Sequence, residues 1–200
     1  EAAYDRVNEH FLTFDGPDGS LMAVWTQEFV LPGKGNINHT IFSRSEDEGV
    51  TWAPPRVIAG PKSVDDPAHM TSWAFPLVSK SGRIYVVYNR HVGIVGWIRF
   101  HTGGMAAVYS DDCGATWSEP QVIAMPVSPY DDPAGVVPPE WIVWQKPIRD
   151  GHGRWITGAP GSKTPEPPPK GAKSFLGRPG ERLESSPELG RTPQVTGGEA

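Results

Sequence analysis

The sequence has 200 residues, a net charge of −5 and no basic run, so nucleic acid is not an expected partner. A single cysteine excludes an intrachain disulfide, and no apolar run approaches the roughly 20 residues of a membrane span. The 22 prolines and 23 glycines favour many turns over long helices. We expect no cofactor and no metal. Because the sequence begins with Glu1 instead of methionine, its location stays open, with secretion or the periplasm favoured.

In chain order, the first predicted element is a hairpin of two apolar runs around a glycine-containing turn. A third strand, an eight-residue turn and a fourth strand follow it, and the same order then begins again. The three hairpins read "FLTFDGPDGSLMAVWTQ", "AFPLVSKSGRIYVVYNR" and "QKPIRDGHGRWITGA"; the later strands read "NHTIFSRS" and "PRVIAG", then "GMAAVYSD" and "PQVIAM". Four short antiparallel strands in a unit of about 65 residues are typical of a β-propeller blade.

The period of the repeat distinguishes between two all-β folds. The tripeptide "DDP" occurs at residues 65–67 and again at 131–133. The distance between the two copies matches the length of the repeated unit. A β-sandwich has strands of similar length but does not require a repeated turn at a fixed period. We therefore predict an all-β chain, a β-propeller of four-stranded antiparallel blades, with blades over about residues 8–60 and 73–125 and an incomplete one over 140–157.

The two eight-residue turns, "SEDEGVTW" and "SDDCGATW", share the pattern Ser-x-Asp-x-Gly-x-Thr-Trp and lie 65 residues apart. We expect the aspartate to accept backbone N–H groups and the glycine to supply a positive φ. The tryptophan is expected to cover apolar surface of its own blade. The predicted role is structural for all ten residues: Ser45, Asp47, Gly49, Thr51, Trp52, Ser110, Asp112, Gly114, Thr116 and Trp117.

These turns resemble the Asp-boxes, or BNR repeats, of the sialidase (neuraminidase) superfamily. The hairpins resemble those of its divergent sialidase-like group, and the likeness covers about residues 7–157. It implies a six-bladed propeller and hydrolysis of a terminal glycosidic bond, typically that of sialic acid, with a glycan or glycoconjugate as partner. Asp-boxes also occur in propellers without enzymatic activity. The alternative is therefore a non-catalytic propeller that binds carbohydrate or protein.

The resemblance also implies a set of catalytic groups. Sialidases hold the sugar carboxylate with three arginines and use a tyrosine nucleophile, a glutamate and an acidic aspartate. Asn8–His10 stands where the first arginine is expected. The other arginines and the Tyr/Glu pair belong to later blades, so we expect the 200 residues to be inactive alone.

The candidate site lies in the loops that join strand two to strand three and strand four to the next blade, on the face opposite the Asp-boxes. Asp66 and Asp132 are the predicted catalytic residues, as a partly desolvated aspartate can act as a general acid. Either could instead only cap a turn before proline. Trp73, Trp97 and Trp144 are candidates for stacking on a sugar or for packing between blades. The predicted substrate-binding residues are His10, His69, Arg90, His91 and Arg99.

The end of the chain differs in composition. Residues 158–200 contain no tryptophan or tyrosine and are rich in proline and glycine, which predicts a tail without fixed structure. The third blade would then lack its outer strands. Two explanations are open: the sequence is a piece of a longer protein, or the tail is an abnormal ending such as a shifted reading frame.

Overall fold

The computed structural model describes most of the first 125 residues and short segments beyond them. Within the described residues, all twelve elements are β-strands. The described ranges are 5–31, 35–63, 65–92, 103–125, 129, 131–134, 140–141, 146–151, 155–156 and 161–162. The strands are β1 (Asp5–Asp15), β2 (Leu21–Leu31), β3 (Gly35–Ser45), β4 (Arg56–Ala59), β5 (Thr71–Val78), β6 (Ile84–Arg90), β7 (Gly104–Ser110), β8 (Gln121–Ile123), β9 (Glu140–Trp141), β10 (Ile148–Arg149), β11 (Trp155–Ile156) and β12 (Gly161–Ser162).

Two antiparallel sheets of four strands make up the well-described part of the chain. The first blade has the strand order β1-β2-β3-β4 and the second blade has the order β5-β6-β7-β8. Strands that follow each other in sequence are therefore neighbours in each sheet, as tight turns between them require. This confirms the predicted all-β fold with four-stranded antiparallel units.

The main core lies between the two blades. Because side chains alternate across a strand, Met22 and Val24 of β2 face the second blade, whereas Ala23 and Trp25 belong to a separate cluster on the other face. The second blade likewise uses one face for this core and the other for a cluster that includes Trp155 of β11. The core between the blades contains Met22, Val24, Phe42, Ile58, Ala59, Ala74, Ile84, Val86, Tyr88, Ala106 and Val108.

The third unit is described only in its first hairpin. β10 pairs with β11, and β12 pairs with β9, with Gly161 opposite Trp141. Both pairs are antiparallel. Gly161 and Ser162 fall inside the predicted tail, so the pairing extends beyond the predicted boundary at residue 157. Residues 163–200 lie outside the described residues, and their lack of structure stays a prediction.

Each Asp-box turn is closed by its aspartate. Asp47 accepts hydrogen bonds from Thr51 N at 2.8 Å, Thr51 Oγ1 at 2.5 Å and Ser45 Oγ at 2.7 Å. These bonds, with that from the Thr51 hydroxyl the strongest, lower the pKa of Asp47 to about 2. The pKa of Asp112 is likewise lowered to about 2. The second turn repeats the bonds at 2.7, 2.6 and 2.8 Å with Thr116 N, Thr116 Oγ1 and Ser110 Oγ.

The two box tryptophans do not share one environment. Trp117 is half-buried and packs edge-to-face on Phe42 of the first blade, with ring centres 5.1 Å apart. Trp52 is 38% exposed, and its Nε1 donates to Gly49 O at 3.1 Å. The expectation that each tryptophan is buried against its own blade is therefore wrong. The Trp117 ring lies against the preceding blade, and the described residues include no blade that precedes the one of Trp52.

Candidate functional site

Buried polar side chains gather at one end of both blades. β2 begins opposite Ser45 of the first Asp-box and ends opposite Gly35, so its last residues lie far from the box turns. β6 likewise begins opposite Ser110 and ends opposite Gly104. The loops predicted to carry the site start from these far ends, which we call the polar end. Its buried polar residues are Thr26, Asn38, His39, Thr40, Thr71, Ser72, Asn89 and His91.

Hydroxyl groups join the two blades at the polar end. Thr40 and Thr71 share a hydrogen bond of 2.8 Å between their side chains, and Thr71 also donates to Ala59 O at 3.3 Å. The backbone N–H of Trp73 donates to Thr26 Oγ1 at 2.9 Å. Buried polar groups are stable only when paired. These bonds therefore fix the first strand of the second blade against the first blade.

His69 and His91 are brought together as the sequence analysis grouped them. The Nδ1–H of His69 donates to the backbone oxygen of His91 at 2.9 Å, and the Nε2 of this exposed ring has no hydrogen-bond partner among the described residues. His91 is buried, and its Nε2 lies 2.7 Å from Ser72 Oγ. His69 can therefore reach a ligand, whereas His91 holds the loop beneath it.

His10 and Trp73 occupy matching positions at bulges in the first strand of each blade. Both have a positive φ, 56° and 49°, which is uncommon for residues other than glycine. Such a bulge turns a side chain away from the ordinary alternation of the strand. His10 packs edge-to-face on Phe75 of the second blade at 4.7 Å, and the same Phe75 belongs to the cluster that Trp73 packs against.

The imidazole of His10 is held in a setting that disfavours charge. Desolvation lowers its pKa from the ordinary value of 6.5, against a smaller opposite effect of Glu9. Its Nε2 is buried and has no hydrogen-bond partner in the described part of the chain. This setting favours the neutral imidazole, and His10 differs chemically from the arginine that the resemblance implies at this place.

Asp66 forms the cap of its own loop. Its carboxylate accepts hydrogen bonds from Lys62 N at 2.8 Å and Ala68 N at 2.9 Å, and these bonds lower its pKa. Asp132 accepts from Ala134 N at 3.0 Å in the matching tripeptide. A general acid must hold its proton at the working pH. The contacts of Asp66 favour the ionised form, and the catalytic role of both aspartates stays a prediction.

The remaining predicted site residues are placed only in part. Arg90 ends β6, opposite Thr71 of β5, and is half-buried at the polar end. Arg99 lies outside the described residues, as do Trp97 and Trp144. No group of three or more acidic, histidine or cysteine side chains able to hold a metal ion occurs in the described part of the chain.

His39 belongs to the polar end but was not predicted. Its Nδ1 donates to Pro61 O at 2.8 Å, its Nε2 lies 3.0 Å from Gln27 Oε1, and its ring packs edge-to-face on Phe29. The ring thus ties the end of β2 to the loop after β4. In the sequence, the only sign of this role was the alternation of side chains along β3, which places His39 on the same face of the strand as Ile41.

The family model of the BNR repeat-like domain matches residues 19–197. The chain belongs to the BNR repeat-like family. This confirms the sialidase-like BNR resemblance that the Asp-boxes carry. The matched range takes in most of the predicted tail, the whole second blade and the first blade from β2 onward, whereas β1 lies outside it.

Two solved structures are similar to this BNR repeat-like chain. One is the Hadza microbial sialidase Hz136, with a TM-score of 0.56, 20% identity, and coverage of 78% of this chain and 32% of the sialidase. The other is a protein of unknown function from Dyadobacter fermentans, with a TM-score of 0.55, 16% identity, and coverage of 80% of this chain and 47% of that protein. No curated protein matches the chain.

At these identities the likeness shows the fold alone, a β-propeller built of four-stranded blades. The chain spans about a third of the length of the sialidase and about half of the length of the second protein. Within the residues that the structure describes, no helix has the length and apolar character needed to cross a membrane.

Proposed function

We propose that this chain is part of a sialidase-like exo-glycoside hydrolase that binds the terminal sugar of a glycan at the polar end. The observation that carries the proposal is the gathering of paired polar side chains at the same end of both blades. Ligands of propellers and other β-folds bind where loops are held by a rigid scaffold. Here the buried threonine, serine and histidine network supplies that scaffold.

Three groups at the polar end are suited to a sugar. His69 offers the Nε2 of its exposed ring, and Arg90 offers a guanidinium that can pair with a carboxylate or donate hydrogen bonds to hydroxyl oxygens. Trp73 is half-buried beside Phe75, and an indole of this kind is able to stack on a sugar ring. Sialic acid is the substrate that the family likeness suggests. His10, whose pKa is lowered by burial, equally suits a related sugar without a carboxylate.

The second candidate is a propeller that binds glycan or protein without catalysis. The setting of Asp66 favours it, because two backbone N–H groups hold the carboxylate in its ionised form. An aspartate engaged in this way is a poor proton donor near neutral pH. The two candidates share the polar end as their binding surface, and they differ in whether a bond is broken there.

For the chain as it stands, binding tests the glycan site that both candidates share, and turnover tests the inactivity expected of the 200 residues. We expect the purified 200-residue chain to bind sialyllactose or lactose but to release little or no product from a fluorogenic sialoside. The reason is that the Tyr/Glu pair implied by the resemblance belongs to later blades. His69→Ala should weaken glycan binding by about tenfold, which is the typical effect of losing one uncharged hydrogen bond to a ligand.

Lys80→Ala is the matched control, since Lys80 is exposed in the turn between β5 and β6 at the opposite end. It should leave glycan binding unchanged. Robust release of product by the wild-type chain would contradict the expected inactivity. Absence of binding to either sugar, by a chain that melts cooperatively, would contradict a glycan site at the polar end.

A further inference from the structure

A cavity lies at the end of the blades opposite the polar end, between the first strands of three successive units. Its volume is about 470 Å³, within the range of pockets that bind small molecules. β1 contributes Phe14 and Asp15, β5 contributes Val78, and the third unit contributes Arg149 and Trp155. None of these residues belongs to the proposed glycan site.

Arg149 is held in place within this cavity. Its Nη2 donates to the backbone oxygen of Val78 at 2.8 Å, and its guanidinium carbon lies 4.7 Å from the centre of the Trp155 ring. The two contacts fix the plane of the guanidinium and the direction of its fork. A single N–H is used by Val78, and within the described residues the guanidinium forms no other hydrogen bond, so its other N–H groups can donate to a ligand.

The charge of the cavity is opposite in sign to that of the whole chain. Lys146 and Arg149 both line it, and among its described lining residues Asp15 is the one acidic residue. Neither cation forms an ion pair within the described part of the chain. A local excess of positive charge on a protein with net charge −5 favours an anionic ligand.

We infer that this cavity binds a small anion, a carboxylate or phosphate carried on a body about the size of a monosaccharide. The oriented fork of Arg149 matches the two oxygens of either group, and Lys146 adds a second charge. Trp155 and Phe14 offer apolar and aromatic surface to the body of the ligand. The site is separate from the polar end, so it would serve a second ligand.

Calorimetric titration of the full chain with three matched sugars tests this inference. Glucose is neutral, glucuronate carries a carboxylate and glucose 6-phosphate carries a phosphate. We expect one or both anionic sugars to bind at least about tenfold more tightly than glucose, as the loss of a charged hydrogen bond implies. The tighter of the two identifies the anionic group that the cavity selects.

Substitutions of the lining residues test whether the anionic sugar binds in the cavity. Arg149→Gln should weaken the anionic sugar by about tenfold or more, Arg149→Lys by less because the charge remains without the fork, and Lys146→Gln by a smaller factor. Lys62→Gln, an exposed change at the polar end, should have no effect, and neither should His69→Ala. If Arg149→Gln fails to fold, Lys146→Gln carries the test.

Equal binding of the three sugars, or undiminished anion binding in folded Arg149→Gln and Lys146→Gln variants, would overturn the inference.

Discussion

Gly114→Ala is expected to destabilise the protein by about 2–5 kcal/mol. Gly114 has a φ of 81°, a region that costs any residue with a Cβ. An added Cβ would also lie 2.4 Å from Cζ of Phe42 in the first blade, so the two blades would have to move apart. The free energy of unfolding, measured with urea, reports the loss.

Gly49→Ala is the control for the backbone contribution. Gly49 occupies the same position in the first Asp-box, with a φ of 92°, but its added Cβ would meet the end of the Leu21 side chain at 3.2 Å and Trp52 Cζ2 at an ordinary contact distance of 3.9 Å. We expect a cost of about 1–2 kcal/mol, the cost of the left-handed conformation alone. Equal losses for the two substitutions would show that the second Asp-box does not press against the first blade.

Trp117→Ala is expected to cost about 2–4 kcal/mol, because it removes a half-buried ring from its edge-to-face contact with Phe42. Trp52→Ala removes a more exposed ring and one hydrogen bond to Gly49 O, and should cost about 0.5–1.5 kcal/mol. Urea unfolding of both variants measures the difference. A loss for Trp52→Ala as large as that for Trp117→Ala would contradict the assigned packing.

The glycine and tryptophan pairs differ in a way that the local sequence does not predict. The strands and their antiparallel order followed from alternating apolar residues and from turn residues, which act within a few positions of the chain. The bonds around Asp47 and Asp112 are equally local. Trp52 and Trp117 occupy the same position of the motif but have different surroundings. The first blade lies beside Trp117, whereas within the described residues no neighbouring blade lies beside Trp52. A motif carries no information on that neighbour.

The polar end could be predicted only in outline. The order of the strands placed His69, Arg90 and His91 at the same end of the blades, since loops that follow even-numbered strands share one face. The role of His39 was missed, because a single histidine in an alternating strand does not reveal that Gln27 and Pro61 O will meet its ring. Such contacts join separate strands and depend on their exact register.

The most direct test of the account is the position at which a glycan touches the chain. Nuclear magnetic resonance spectra of the ¹⁵N-labelled chain, titrated with sialyllactose and with lactose, report that position residue by residue. We predict shifts for His10, His69 and Arg90 at the polar end, and unchanged signals for Thr51 and Thr116 in the Asp-box turns. Shifts confined to the Asp-box turns, with the polar end unchanged, would contradict the proposed site.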